Sequence, residues 1–546
     1  MPATTTSSEN VARSAGITSA AVLLSRITGL AREIALARLF GAGGSAANDA
    51  FLLAFRIPNL TRDLFAEGAL SSAFVPKFVD YLANKSKAEA ARLANLVATA
   101  IIFIVGVICV LGMVYAPQLV DMLGSGFRGV PGKFELAVSM TRIMFPFLLL
   151  VALAAQAMGI LNACNQFAVP ALSSTLFNIG SLLCGLALGF LAGPRLGITP
   201  IEGMAWGVVC GGALQLGCQI PSLVRSGFVF RPAFDLRHPG LLHIFALMCP
   251  AILGNAAVQV NVAINSNFAS QICDPVTCLN GPVTWLGAAF RFMQLPLGLF
   301  GVAIGGATLP AISRAAAQGD MEDFRKTLSR SLGLVFLMTI PSSAGLIVLG
   351  DAIVGALFEG GAFTSYDTHQ TASALAFFAL GLAGYSALKI LVPAFYALKD
   401  SRTPMYISIA SIAINYAVVT AMTGAAGFGH TGLAMSTATV AVFGGVAQFL
   451  ILRSRIGGIY GRALSASVMK VLFASALMSV VVFGIVWGVT QAIAPGRLRY
   501  VLTLLVAIPA GAAVFYAVCR QLKVDELDLA VTAFRRPFER LRARIR

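Results

Sequence analysis

The sequence predicts an all-α polytopic membrane protein with about 14 transmembrane helices, arranged as two six-helix lobes followed by two additional helices. Three observations predict it. The chain is 58% hydrophobic and 11% charged, with a mean hydropathy of +0.83, a composition suited to lipid rather than water as solvent. Apolar stretches of about 20 residues, enough to cross roughly 30 Å of hydrocarbon, recur along the chain. Lys and Arg gather in every second connection between those stretches, as the positive-inside rule requires of cytoplasmic loops.

In chain order, residues 1–15 open with a polar Ser/Thr run and read as a disordered cytoplasmic tail. No leader pattern is present there, so insertion falls to the helices themselves. Segments 16–41 and 49–80 are helical by pattern but broken by Arg, Asp and Glu. Spans of that kind persist where the charges face the bundle interior or a water-filled cavity, so these two should line a central chamber. Twelve clean apolar stretches follow, near 98–120, 138–161, 168–193, 200–222, 242–271, 283–313, 331–357, 369–397, 405–424, 429–452, 467–492 and 498–519.

The basic clusters run through Lys77, Lys85, Lys87 and Arg92, then Arg225, Arg231 and Arg237, Arg314 to Arg330, Lys399 and Arg402, Arg453 to Lys470, and Arg520 to Arg546. Arg128, Lys133, Arg195, Arg497 and Arg499 depart from the bias. An even number of spans with both termini cytoplasmic follows. The net charge of +16 therefore belongs to loops beside an anionic membrane, and no nucleic-acid partner is implied. Residues 521–546 form a basic cytoplasmic tail whose end, FRRPFERLRARIR, fits either a headgroup-lying amphipathic segment or a solvated stop-transfer tail.

An internal repeat organises the spans. GILNACNQFAVPA (Gly159 to Ala171) parallels AFYALKDSRTPMY (Ala394 to Tyr406): each closes an apolar helix, crosses a short polar turn and reaches a Pro that opens the next helix. A weaker pair is Phe55 to Pro76 against Phe292 to Pro310. The offset is close to 235 residues, which fits lobes at 16–225 and 238–455, with the two extra helices at 466–520.

Most cysteines sit in or beside apolar stretches and read as small packing residues. Cys273 and Cys278, in CDPVTC, lie in a connection assigned to the non-cytoplasmic side, where oxidation permits a disulfide; two free thiols are the alternative. The four histidines are dispersed, and neither a P-loop nor HExxH occurs, so the sequence offers no catalytic residue, metal site or cofactor.

The costly residues are the arginines within spans. At 100° per residue Ser25, Thr28 and Arg32 share one stripe, with Arg26 to its side. In the next segment Asp49, Arg56, Asp63 and Glu67 follow in register, and Asn59 with Arg62 forms a neighbouring stripe. Arg291 is followed by Gln294, and the preceding stretch carries Asn255, Gln259, Asn261 and Asn265. Arg38 and Arg56 lie near helix ends and read as interfacial anchors or helix-holding partners. Arg26, Arg32, Arg62 and Arg291 do not, and a mid-span Arg costs at least about 2.5 kcal/mol. A guanidinium stays charged and offers a planar fork to two phosphate oxygens, which suits a diphosphate in a low-dielectric chamber, with Glu67 as an acidic partner when the chamber is empty.

SRITGLARE (Ser25 to Glu33), NDAFLLAFRIPNLTRDLFAEGALSSAFVP (Asn48 to Pro76), RFMQLPLGLFGVAIGGATLP (Arg291 to Pro310) and FYALKDSRTP (Phe395 to Pro404) resemble the MurJ (MviN) family of bacterial lipid II flippases. That family belongs to the multidrug/oligosaccharidyl-lipid/polysaccharide exporter superfamily. The resemblance implies a fourteen-helix transporter of the bacterial cytoplasmic membrane that moves the undecaprenyl-diphosphate-linked peptidoglycan precursor outward. It also implies that Arg26, Arg32, Arg62 and Arg291 are the cavity arginines, with Ser25, Asp49, Asn59, Glu67, Gln294 and Asn265 in support. The last two helices would make a groove for the polyprenyl tail, and cell-wall synthesis proteins are the expected partners. Gln294 stands where some members have Glu, and Asn415 with its neighbours does not complete a sodium site. The coupling source stays open between membrane potential and a monovalent ion.

Four other readings compete. Phosphate recognition alone also admits a flippase for another polyprenyl-diphosphate saccharide. A non-transporting scaffold would have no use for buried arginines, and a membrane polymerase would need converging carboxylates that Asp274, Asp351, Glu359 and Asp367 do not supply. A cation antiporter conflicts with a cationic chamber.

Overall fold

The computed structural model describes residues 5–43, 45–63, 70–235, 237–272, 281–425 and 427–532. Glu67, Cys273 and Cys278 lie outside them, as does the tail from residue 533 onward. Among the described residues the chain is helical, apart from a single bridge between Gly360 and Phe363. Packing divides it between Thr284 and Trp285 into two units.

The first unit contains α1 (Thr5–Phe40), α2 (Ala46–Arg62), α3 (Ser71–Asn84), α4 (Lys87–Val114), α5 (Ala116–Gly124), α6 (Lys133–Met144), α7 (Pro146–Ala163), α8 (Ala168–Leu186), α9 (Gly193–Leu196), α10 (Pro200–Gly217), α11 (Ile220–Arg225) and α12 (Pro239–Gln271). The boundary thus places α12, which the sequence repeat assigns to the second half, with the helices before it. The reason is polar: Asn267 of α12 donates to the Met122 carbonyl at 2.8 Å, and Ser270 accepts from the Gly126 amide at 3.2 Å. Helix α1 begins at Thr5, inside the segment read from sequence as unstructured; no proline interrupts the run from there to Phe40.

The second unit holds most of α13 (Pro282–Pro296), then α14 (Ala303–Gln318), α15 (Met321–Leu357), α16 (Ser365–Leu380), α17 (Leu382–Ala397), α18 (Arg402–Thr420), α19 (Gly429–Arg455), α20 (Gly461–Ala492) and α21 (Arg497–Gln521). Helices α20 and α21 pack on each other and on α15. Polar caps fix where several helices start. Thr199 and Glu202 form a capping box on α10, Thr364 and Asp367 one on α16, and Ser86 and Asp320 cap α4 and α15.

Ten spans among the described residues are long and apolar enough to cross a membrane, and eleven if α16 and α17, bent by 42°, form one. A total of about 14 additionally requires α1, α12 and the α2–α3 segment, where Arg, Asp and Asn punctuate the apolar runs.

Small residues bring the helices together. In α10, Gly203, Gly207 and Gly211 recur every fourth residue against α8; a Cβ at Gly207 would stand 2.3 Å from the Ser181 carbonyl oxygen and one at Gly203 2.2 Å from Gly189 Cα. In lipid, where apolar burial between helices gains little, this close backbone approach is what holds a pair. In the second unit α17 and α19 meet in the same way, with Gly384 against Ala441.

The sequence repeat has a backbone counterpart. Asn165 and Lys399, at matching places in the two motifs, both take the left-handed conformation at φ 59°. Around the first, Cys164, Asn165 and Gln166 donate to Ile160, Asn162 and Leu161; around the second, Leu398, Lys399 and Asp400 donate to Ala394, Tyr396 and Phe395, position for position. The helices that follow both finish in π-helical turns, Ala187–Ala192 and Ala421–Ala425.

Candidate functional site

Helix α1 is positioned by an amide. Asn178, on α8, donates to the Ser25 carbonyl at 3.0 Å and to the Thr28 hydroxyl at 3.5 Å, and Gly29 leaves room for it. One turn on, Arg32 is 8% exposed, and its guanidinium carbon lies 5.4 Å from the ring centre of Phe55 on α2 and 5.2 Å from that of Phe177 on α8. Phe147 stands 5.9 Å from Phe55 and 5.2 Å from Phe177, closing the aromatic wall. A desolvated cation over an aromatic face gains about 2 kcal/mol. Arg26, by contrast, is exposed.

On α2, Asp49 lies fully buried. One carboxylate oxygen meets Lys133 Nζ at 3.1 Å; the other accepts from the Thr284 amide at 2.9 Å and hydroxyl at 2.5 Å. Both side chains of the ion pair have no exposed surface, and Lys133 Nζ sits 4.3 Å over Phe127. This accounts for Lys133 in a connection otherwise poor in basic residues: its charge is matched inside the fold. Asp49 thus ties α2 to α6 and to the start of α13, while Asn48 donates to the Gly41 carbonyl at 2.9 Å. Arg56 donates to Ser266 of α12 at 2.8 Å, so it joins two helices rather than reaching an interface. Asn59 bonds the Phe55 carbonyl at 2.8 Å, steadying the turn that presents that ring, and Arg62 pairs with Asp63 at 3.0 Å. Asn265 is half-buried next to Ser266.

In the second unit Arg291 is exposed and Gln294, half-buried, lies on the same helix face three residues later. Helix α13 is anchored near its start by Trp285, whose indole N–H donates to Asp367 at 2.9 Å and whose ring lies 5.1 Å from that of His430. Beyond Pro296 the helix passes through a π-helical turn, Leu297–Val302. Among the described residues no three His, Cys, Asp or Glu side chains converge as metal ligands.

The structure therefore sets Arg32 against an aromatic wall, with Asn59 bonded to the backbone of Phe55 and the Ser25 carbonyl bonded to Asn178, the neighbour of Phe177. It places Asp49 in a separate buried tie, and sets Arg291 with Gln294 on α13. The sequence did not single out Asn178, Phe55, Phe177 or Trp285, and it marked Lys133 only as a departure from the loop charge bias. An amide such as Asn178 within an apolar stretch is a readable signal, since it needs a partner; that its partner is α1 depends on packing.

The family model for "Lipid II flippase MurJ" matches residues 36–503. The chain is 36% identical over 446 residues to the lipid II flippase MurJ of Burkholderia cenocepacia, covering 80% of this chain and 82% of that one. It is 34% identical over 443 residues to a probable lipid II flippase MurJ of Vibrio cholerae, covering 79% and 81%. Among solved structures, one of lipid II flippase MurJ in an inward closed conformation superposes with a TM-score of 0.74 at 25% identity, over 92% of this chain and 99% of that chain. An inward-facing multidrug resistance MATE transporter of the MOP superfamily shares the fold at a TM-score of 0.63 and 16% identity, over 81% and 98%. By sequence along most of its length, the chain belongs to the lipid II flippase MurJ family.

Proposed function

We propose that this protein moves lipid II from the inner to the outer leaflet of the bacterial cytoplasmic membrane by alternating access, as a transporter and not an enzyme. Membership of the lipid II flippase family supports the substrate, and one geometric observation supports the chemistry: Arg32 is held charged on a membrane helix between the rings of Phe55 and Phe177. Arg32 receives the diphosphate with Arg26, Arg62 and Arg291; Ser25, Asn59, Asn265 and Gln294 support the headgroup, Glu67 balances the charge, and Asp49, paired with Lys133, holds the helices around the site. Both termini face the cytoplasm, in keeping with the Lys/Arg bias of the loops. Membrane potential biases the cycle, at about 2.3 kcal/mol per charge per 100 mV. Cell-wall synthesis proteins supply and consume the lipid on either side.

The test replaces the native protein in cells by Arg32→Ala or Arg291→Ala and follows lipid II with a leaflet-resolved assay. Lipid II is expected to accumulate in the inner leaflet. Full export with either variant overturns the arginine mechanism, and accumulation of a different lipid-linked saccharide on depletion overturns the substrate.

A further inference from the structure

The connection between α11 and α12 does not hang free. Asn95 of α4 donates to the Val229 carbonyl at 3.4 Å and accepts from the Arg231 amide at 3.3 Å; Thr99 accepts from the Ala233 amide at 3.1 Å; Arg92 pairs with Asp235 at 3.3 Å. These bonds strap residues 229–235 along the first turns of α4. They also hold Phe234 outward with 81% of its surface exposed, a costly position for a phenyl ring unless lipid covers it.

Phe234 closes one end of an open groove of about 430 Å³ on the outer face of α4, lined by Ile102, Phe103, Gly106, Val107 and Val110. From Thr99 to Leu111 the groove extends roughly 18 Å at 1.5 Å per residue, about one leaflet of a 30 Å hydrocarbon core. The strap end is basic. Arg231 and Arg237 are exposed and form no ion pair among the described residues, and Asp235, the acid between them, is engaged by Arg92. An apolar channel of leaflet length with two uncompensated guanidiniums at one mouth matches an amphiphile with one anionic end. The Lys/Arg bias puts that mouth at the cytoplasmic surface, where anionic lipids gather.

We infer that α4, the 229–235 strap and Arg237 form a binding site for an anionic glycerophospholipid of the cytoplasmic leaflet, separate from the transported lipid: an acyl chain lies in the groove under Phe234 and the phosphate on Arg231 and Arg237. This lipid is resident and is not carried across.

Native mass spectrometry of the full chain, purified and incubated with phosphatidylglycerol or phosphatidylcholine, tests the assignment. The wild type is expected to retain phosphatidylglycerol at least about fivefold over phosphatidylcholine. Gly106→Leu fills the groove, and a Cβ there meets no atom within 4 Å, so the fold survives while phosphatidylglycerol retention falls at least about fivefold. Arg231→Ala with Arg237→Ala leaves the two lipids equally retained. Equal retention of both lipids by the wild type, or retention indifferent to these variants, overturns the proposal. So does a polypeptide that co-purifies on the groove and is displaced by Gly106→Leu.

Discussion

Arg32 on α1 lays its guanidinium over the ring of Phe177 on α8, 5.2 Å from the ring centre, in the helix that also fixes α1 through Asn178. Charge and position are thus set by adjacent residues of one helix. Phe177→Leu keeps an apolar, somewhat smaller side chain but removes the π face, a loss of about 1–2 kcal/mol in holding the cation. The expected outcome is a roughly tenfold drop in lipid II export in a leaflet-resolved assay, with protein level and melting temperature close to wild type. Arg32→Lys should fall at least as far, because an ammonium lacks the planar fork.

The buried pair of Asp49 and Lys133 should show the asymmetry of enclosed charges. Removing one partner strands the other, so Lys133→Met and Asp49→Asn should each destabilise by about 3–5 kcal/mol. The double variant should recover part of that loss. Thermal unfolding of the four proteins in detergent gives the coupling directly, and additive losses would refute it.

Trp285 is fully packed and gives its N–H to Asp367. Trp285→Phe leaves a buried carboxylate oxygen short of a donor, at a cost of about 1–3 kcal/mol. Since α13 carries Arg291, lipid II export should fall along with the melting temperature. A second-site change, Asp367→Asn, tests whether the carboxylate causes the loss.

Asp400, in the connection before α18, is held below the usual carboxylate range, chiefly by the Thr403 hydroxyl; burial, next in size, opposes this, and the Thr403 amide, Arg455 and the Arg402 amide add to the lowering. A depressed carboxyl stabilises the fold above its unfolded value near 3.8 and loses that contribution as pH falls through the folded value. Asp400→Asn keeps an oxygen for the Arg402 and Thr403 amides but removes the charge facing Arg455, so it should melt lower than wild type at pH 7 by no more than about 1 kcal/mol, and the difference should shrink below pH 4.

Much of this architecture was legible in the sequence because hydropathy and loop charge are local properties. The helices α4, α15 and α19 need only their own residues to be recognised. The repeat was legible at GILNACNQFAVPA and AFYALKDSRTPMY because a left-handed residue and a following Pro leave a mark in the chain. What escaped depends on partners distant in sequence. Nothing beside Asp49 announces Lys133 or Thr284, so one acid assigned to the chamber is engaged in a structural tie; Arg56, read as an anchor or a helix-holding partner, takes the second role with Ser266. Contacts distant in sequence group α12 with the helices before it, among them the bond Asn267 donates to Met122 and the one Ser270 accepts from Gly126.

The twin turns at Asn165 and Lys399 share a backbone but not a fastening. At the first, Gln166 donates to the Ser226 hydroxyl at 2.9 Å, a bond between neutral groups. At the second, Arg455 grips the Asp400 carboxylate and donates to Thr403 at 2.9 Å. An exposed ionic clasp weakens as the Debye length contracts from about 10 Å at 0.1 M salt to about 3 Å at 1 M, whereas an amide–hydroxyl clasp is indifferent to it. The two repeat motifs thereby differ in their sensitivity to ionic strength: raised salt would loosen one elbow while leaving its twin fastened.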